Sequence, residues 1–243
     1  MHATKIIIPT CDKYRNLLEA NKFMMDKLCP DFKVVVLGYK QPDFNMGEWE
    51  FVSLGSDPGA GSFANSLPKF FDSFDDEYFI YGNDDGITTS FDNDFFNEIL
   101  EIAKDTPDFG RAWLIQGSSA PGEVPVLVKD FGEYQVARIN QESKYRLSLQ
   151  CSLWKTSYFK KYLLPNISPW EWELRDNAKN DGAVIMIPIN KSAITLGHVM
   201  RSFNKSKPEF LKGWNKSIYG EERLDDGDTV ICENMYKKHG YHE

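Results

Sequence analysis

Short apolar runs alternate with longer stretches of helical spacing through the first half of this 243-residue chain. Residues 5–9 (Lys-Ile-Ile-Ile-Pro) and 34–37 are continuous apolar runs, the pattern of strands buried on both faces, and 49–54 predicts a third strand. Between the first two, residues 14–28 set Leu17, Leu18, Phe23, Met24 and Leu28 at helical spacing. Residues 66–74 predict a second helix, with Ser66 and Pro68 near its start and Phe70, Phe71 and Phe74 on one face. A strand at 78–81 follows, then a helix over 92–104 with acidic residues in its first turn, where the helix dipole favours them. Strand–helix–strand repetition of this kind implies a parallel sheet with crossover helices.

The second half changes character. Strands are predicted at 112–116, 145–154, 183–188 and 193–200, with 124–129 and 134–139 as a hairpin or edge pair. Short helices are predicted at 158–164 and 168–177, and the stretch beyond residue 200 reads as polar and loop-like, with Gly213, Gly220, Gly227 and Gly240 spread through it. The expected fold is a single α/β domain over 1–243. It comprises a Rossmann-like half with a mostly parallel sheet (1–110), a mixed half (111–205) and a loop-rich tail (206–243).

An apolar fraction of 42%, with 14% aromatic residues, is enough for a sizeable core. A net charge of −8 argues against a nucleic-acid partner, which needs a basic face, and against attachment to an anionic membrane. Cys11, Cys29, Cys151 and Cys232 are scattered with no Cys-x-x-Cys pair, which fits reduced thiols rather than a zinc site or a disulfide framework. No run is long enough to span a bilayer and no apolar leader precedes residue 5, so a cytoplasmic location is expected.

Candidate chemistry concentrates where apolar runs stop. The strand at 78–81 is followed by Gly82-Asn83-Asp84-Asp85-Gly86, paired carboxylates at a strand's carboxyl end. They read as a site for a hard divalent cation or as a solvated turn. After the first strand, Thr10-Cys11-Asp12-Lys13-Tyr14 occupies the position where doubly wound sheets hold a nucleotide. Asp12 either hydrogen-bonds a base or ribose or caps the next helix, and Tyr14 either stacks on a base or packs at the helix start. The cluster Gly55–Gly61 lacks the spacing of a phosphate-binding loop and reads mostly as a connection.

Residues 168–173, Ser-Pro-Trp-Glu-Trp-Glu, fit a capping box that gives Glu171 a structural task. Glu173 has none by pattern, and it shares a helix face with Trp170. A ring beside a carboxylate is what a sugar acceptor needs, an apolar plate and a base, so Trp170, Trp172, Glu173 and Glu171 are candidates. The alternative is two core tryptophans and two surface glutamates. His198, late in a strand, reads as structural or as a third metal ligand, and Arg201, Lys205 and Lys207 read as diphosphate contacts or a solvated basic run.

Taken in order, the pieces 6–14, 78–86, 148–154 (Ser-Leu-Gln-Cys-Ser-Leu-Trp), 168–173 and 197–205 resemble GT-A type glycosyltransferases, especially small bacterial and viral members. The resemblance implies transfer of a sugar from a nucleotide-diphosphate sugar to a hydroxyl acceptor. It implies Asp12, beside Thr10 and Tyr14, at the nucleotide, and Asp84, Asp85 and His198 around Mn²⁺ or Mg²⁺. Glu173 or Glu171 would be the base of an inverting reaction. Asn83 stands where such enzymes have the first aspartate of an Asp-x-Asp motif, which leaves Asp85 as the best match to the metal-binding one. Two rival readings are a sugar-phosphate nucleotidyltransferase, whose Gly-rich basic loop after strand one is missing from 10–14, and a non-enzymatic carbohydrate-binding module.

Overall fold

The apolar runs of the first half pair side by side and in parallel, as strands buried on both faces do. A computed structural model describes residues 4–117, 125–198 and 226–241. In chain order the strands are β1 (Lys5–Pro9), β2 (Val34–Gly38), β3 (Glu50–Ser53), β4 (Tyr78–Tyr81), β5 (Gly86–Phe91) and β6 (Phe109–Trp113). They continue as β7 (Val126–Asp130), β8 (Gln135–Arg138), β9 (Ser152–Lys155), β10 (Val184–Ile189) and β11 (Ile194–His198). The helices are α1 (Leu18–Leu28), α2 (Pro68–Phe71), α3 (Asn93–Asp105), α4 (Thr156–Lys161), α5 (Pro169–Glu173) and α6 (Asp226–Lys238).

One sheet has nine strands in the order β3-β2-β1-β4-β9-β6-β10-β8-β7, and β5 with β11 forms a separate antiparallel ribbon. Within the large sheet only β8 and β9 run against the rest. Period-two alternation sends Ile6, Ile8, Val36 and Ile80 to one face, against Leu18 and Met25 of α1 and Phe95 and Ile99 of α3. Ile7, Val35, Leu37 and Phe79 face the other way, onto Phe71, Phe159 and Trp172 of α2, α4 and α5. The result is a three-layer α/β sandwich with a mostly parallel sheet, not the antiparallel sandwich expected of a glycan-binding module. Asp92 starts α3 by accepting the Phe95 N–H at 2.9 Å.

Several expectations change, and one unassigned run proves to be a strand. The strand predicted over 145–154 is reduced to β9, and residues 145–151 turn instead, with Tyr145 at φ 59°. Leu147, Leu149 and Cys151 are buried as expected, but the backbone groups of Tyr145, Arg146 and Leu149 bond to charged side chains rather than to a neighbouring strand. The polar run 86–91 is a strand, held on α1 where Thr88 donates its N–H and hydroxyl to Asn21 Oδ1 at 2.9 and 3.0 Å. Part of the supposed loop-rich tail is α6. It buries Cys232 and Tyr236 against Leu17, Ala20 and Met24 and joins α1 through Lys27–Asp228 and Lys238–Glu19 pairs at 2.6 and 2.8 Å. All four cysteines are free thiols. Among the described residues no helix is long and apolar enough to cross a membrane.

Gly82 lets β1 and β4 close together just ahead of the aspartates. A Cβ there would lie 2.8 Å from Ile8 Cγ1 and 3.3 Å from Ile6 Cγ2. Gly82→Ala should therefore wedge the two central strands and lower unfolding free energy by about 1–3 kcal/mol in denaturant titrations. An unchanged midpoint would mean that the isoleucines repack at no cost.

Candidate active site

Parallel strands bring their carboxyl ends to one edge, and open α/β sheets bind ligands there. At this edge the end of β1 is fastened to the end of β4. Thr10 donates its hydroxyl to Asp84 Oδ2 at 2.9 Å, and the Cys11 N–H also bonds to that carboxylate. Burial, followed by repulsion from Asp85, pushes the Asp84 carboxyl up to about 7 despite these donors. Asp12 ties the same loop to the end of β2, accepting the Lys40 N–H at 3.0 Å and pairing with Lys40 Nζ at 3.1 Å. Its own N–H donates to Asp57 Oδ2 at 3.0 Å, so the Gly55–Gly61 connection docks on this loop. Asp12 does not cap a helix, because the 3-10 turn Arg15–Leu17 has no side-chain cap. Tyr14 packs with Leu17, Met24 and Tyr236, the packing alternative for that ring.

The reversed strand β9 starts at this edge, with Ser152 opposite both Tyr81 and Trp113. The turn before it reaches the aspartates through Asn83, whose Nδ2 donates to the Leu149 carbonyl at 3.2 Å. The same turn holds Glu173, whose Oε1 accepts the Leu149 N–H at 2.7 Å and the Ser148 hydroxyl at 3.0 Å. Glu173 therefore does have a structural contact, which its place in the sequence did not reveal. Tyr81, at the end of β4, links these groups electrostatically. Its phenol is pushed well above its ordinary value by burial, then by Asp84, Glu173 and Asp85. Glu173 thus reaches the strand end that carries the aspartates through Leu149 and Asn83.

The capping box at Ser168 is formed, with Glu171 Oε2 accepting the Ser168 N–H at 2.7 Å. Those Ser168 bonds hold the exposed Glu171 carboxyl below its usual range. Trp172 is fully buried against Phe159 and Phe63, with ring centroids 5.2 and 6.5 Å away. It offers no face to an acceptor, which corrects its assignment as an acceptor plate. Trp170, by contrast, is 66% exposed.

Arg111 was not singled out by its sequence. It is fully buried in β6, with Trp113 and Trp154 rings 5.1 and 5.2 Å from its guanidinium carbon. It donates to Ser152 Oγ at 2.7 Å and to the Tyr145 and Arg146 carbonyls at 3.4 Å. Burial lowers its pKa to about 9, opposed first by attraction to Glu173. An arginine inside the run Phe109-Gly-Arg-Ala-Trp113 was the available signal, since a lone charge in a buried strand needs partners.

Strand register sets His198 opposite Gly86, the residue after Asp85. Its side chain, and Arg201, Lys205 and Lys207, lie outside the described residues. Among the described residues no third His, Cys, Asp or Glu joins the two aspartates as a metal cluster.

No protein-family model matches the chain. No curated protein matches it either. Solved structures do match in fold. Residues 1–349 of TarS from S. aureus superpose with TM-score 0.51 and 11% identity, over 79% of this chain and 60% of that one. The same segment in complex with UDP gives TM-score 0.50 and 12% identity, again over 79% and 60%. TarS from the longer S. aureus structure gives TM-score 0.50 and 12% identity, over 79% of this chain and 36% of that one. The chain thus spans less than two thirds of the TarS structures it matches. At these identities the likeness is one of architecture, and that architecture is the GT-A fold of glycosyltransferases.

Proposed function

We propose that this protein is a glycosyltransferase that moves a sugar from a nucleotide-diphosphate sugar to a hydroxyl acceptor, with inversion and with a divalent cation. The observation that carries the reading is that Asp84 and Asp85 end β4 while Asn83 beside them and Glu173 hold the same turn residue, Leu149, at the ligand-binding edge of a GT-A sheet. The TarS segment was solved with UDP, which supports a uridine nucleotide as the first donor to try. The four free thiols accord with a reducing compartment, and we assign the protein to the cytoplasm.

The donor set suits a hard cation. Two adjacent carboxylates, one of them carrying a proton up to about pH 7, gain from Mg²⁺ or Mn²⁺ what water alone does not supply. Asp84 and Asp85 would hold it, with His198 as the further candidate. When bound, such a cation neutralises charge on the departing diphosphate. Thr10 keeps Asp84 oriented, and Asp12 fixes the nucleotide-facing loop between β1 and β2. Glu173, with Oε1 clamped by Ser148 and Leu149, takes the acceptor proton on its other oxygen. The acceptor oxygen bonds to the anomeric carbon from one side as the carbon–oxygen bond to the diphosphate breaks on the other. Trp170 offers the acceptor an apolar face.

Asp84 makes a test by pH. Its folded pKa of about 7 lies above that of an unfolded aspartate, about 3.9, so the folded state loses stability as pH rises between the two. Asp84→Asn keeps an acceptor for Thr10 and removes the repulsion. Its melting temperature should match the native protein near pH 4 and exceed it by a few degrees above pH 7. A difference that does not change with pH would mean that Asp84 is not held protonated.

Ligand binding to the native state raises the melting temperature. UDP with Mn²⁺ should raise it more than either alone, and Asp85→Asn should lose the metal-dependent part. If UDP-, GDP- and CDP-sugars all leave the melting curve unmoved with and without Mn²⁺, the donor reading fails.

The two glutamates separate base from cap. Glu173→Gln retains an oxygen for Ser148 and Leu149, so it should fold and bind donor while transfer falls by roughly two to four orders of magnitude. Glu171→Gln should stay close to native, because glutamine also completes a capping box. Native turnover in Glu173→Gln would reduce that residue to a clamp on the turn.

A further inference from the structure

We propose that a cavity away from the aspartates binds an uncharged saccharide. It has a volume of about 570 Å³, within the range of small-molecule sites, and lies where β5 runs into α3 and faces the turn between β10 and β11. Ser90, on its wall, is four residues beyond Gly86 along β5, roughly 13 Å at strand rise. The cavity is therefore separate from the carboxylate cluster, and the inference stands whether or not the transfer reading does.

The wall is a built one. The Gln116 N–H donates to Ser192 Oγ at 2.7 Å, joining the segment after β6 to the turn after β10. Thr195 Oγ1 shares a proton with Ser90 Oγ at 2.7 Å, joining β11 to β5. The chemistry of the lining selects against anions. The one lysine on the wall, Lys191, is neutralised by Asp92 Oδ2 at 2.8 Å and lies over the Tyr134 and Phe95 rings at 4.2 and 5.0 Å. That pairing raises the Lys191 pKa and leaves no uncompensated positive charge for a phosphate or carboxylate. Asp94, also on the wall, repels anions further.

What remains is a set of neutral groups that both donate and accept. The amides of Gln116 and Asn190 and the hydroxyls of Ser90 and Ser192 line the space, and Phe91 contributes an apolar surface. A ring bearing many hydroxyls and one apolar C–H face matches that combination, whereas a flat apolar ligand would leave the amides without partners.

The test uses the full chain without nucleotide, in saturation-transfer NMR with glucose, N-acetylglucosamine and short linear oligomers of each. Transfer to the saccharide ring protons is expected, reduced at least fivefold in the double variant Gln116→Ala/Asn190→Gly. Glycine is chosen because Asn190 sits at φ 65°, so the backbone there is preserved while the amide is removed. Should the double variant melt early, the single variant Asn190→Gly, at an exposed position, provides the same comparison. No transfer to any of these saccharides, transfer undiminished in the variants, or displacement by inorganic phosphate would each overturn the proposal.

Discussion

A guanidinium with no water around it organises the middle of this molecule. Arg111 sits in the centre of the sheet with no exposed surface, between two tryptophan rings. A buried cation must find acceptors or lose its charge. Arg111 finds them in the turn that precedes the reversed strand, taking two carbonyls there and the hydroxyl of Ser152. Those bonds are why residues 145–151 turn instead of extending the sheet. With the turn so placed, Leu149 presents its N–H to Glu173 and its carbonyl to Asn83. The edge that carries the candidate site is thus built outward from one charge in the core.

A second buried arginine holds the same turn from the other side. Arg146 donates to the Ala178, Asn140 and Ala183 carbonyls at 2.7, 3.1 and 2.7 Å and pairs with Asp181 at 2.9 Å. Burial raises the Asp181 carboxyl, but hydrogen bonds from Tyr162, the Ala183 N–H, Tyr158 and Arg146 outweigh it and the net shift is downward. Removing either member of such a pair leaves an uncompensated charge, typically about 3–5 kcal/mol. The turn carrying Ser148 and Leu149 is therefore positioned by side-chain charge on both flanks rather than by strand pairing.

The opposite electrostatic situation prevails at the end of β4. Asp84 and Asp85 are adjacent, the protein as a whole is acidic at −8, and no cation among the described residues pairs with Asp84. Repulsion of this kind favours whatever positive ligand the site admits. The polar cavity beyond β5 differs from it, since its one lysine is already balanced by Asp92.

Local pattern alone determined the parallel half. Continuous apolar runs at 5–9 and 34–37 can only be strands covered on both faces, and the helical spacing after each supplies the cover. The capping box at Ser168 was equally legible, because its partners are three residues apart. Asp84 and Asp85 could be picked out as the stop of an apolar strand, but their company could not. Glu173 meets Ser148, and Thr10 meets Asp84, through contacts 25 and 74 residues apart in the chain. Trp170 and Trp172 are two residues apart with the same chemistry, and only packing against Phe159 and Phe63 decided which is core. Helix α6 has too weak an apolar pattern to announce itself and is fixed by α1. Sequence periodicity determines elements whose burial is regular, whereas residues whose partners are distant take their roles from the tertiary structure, because the burial and charge that define those roles exist only once the chain has folded.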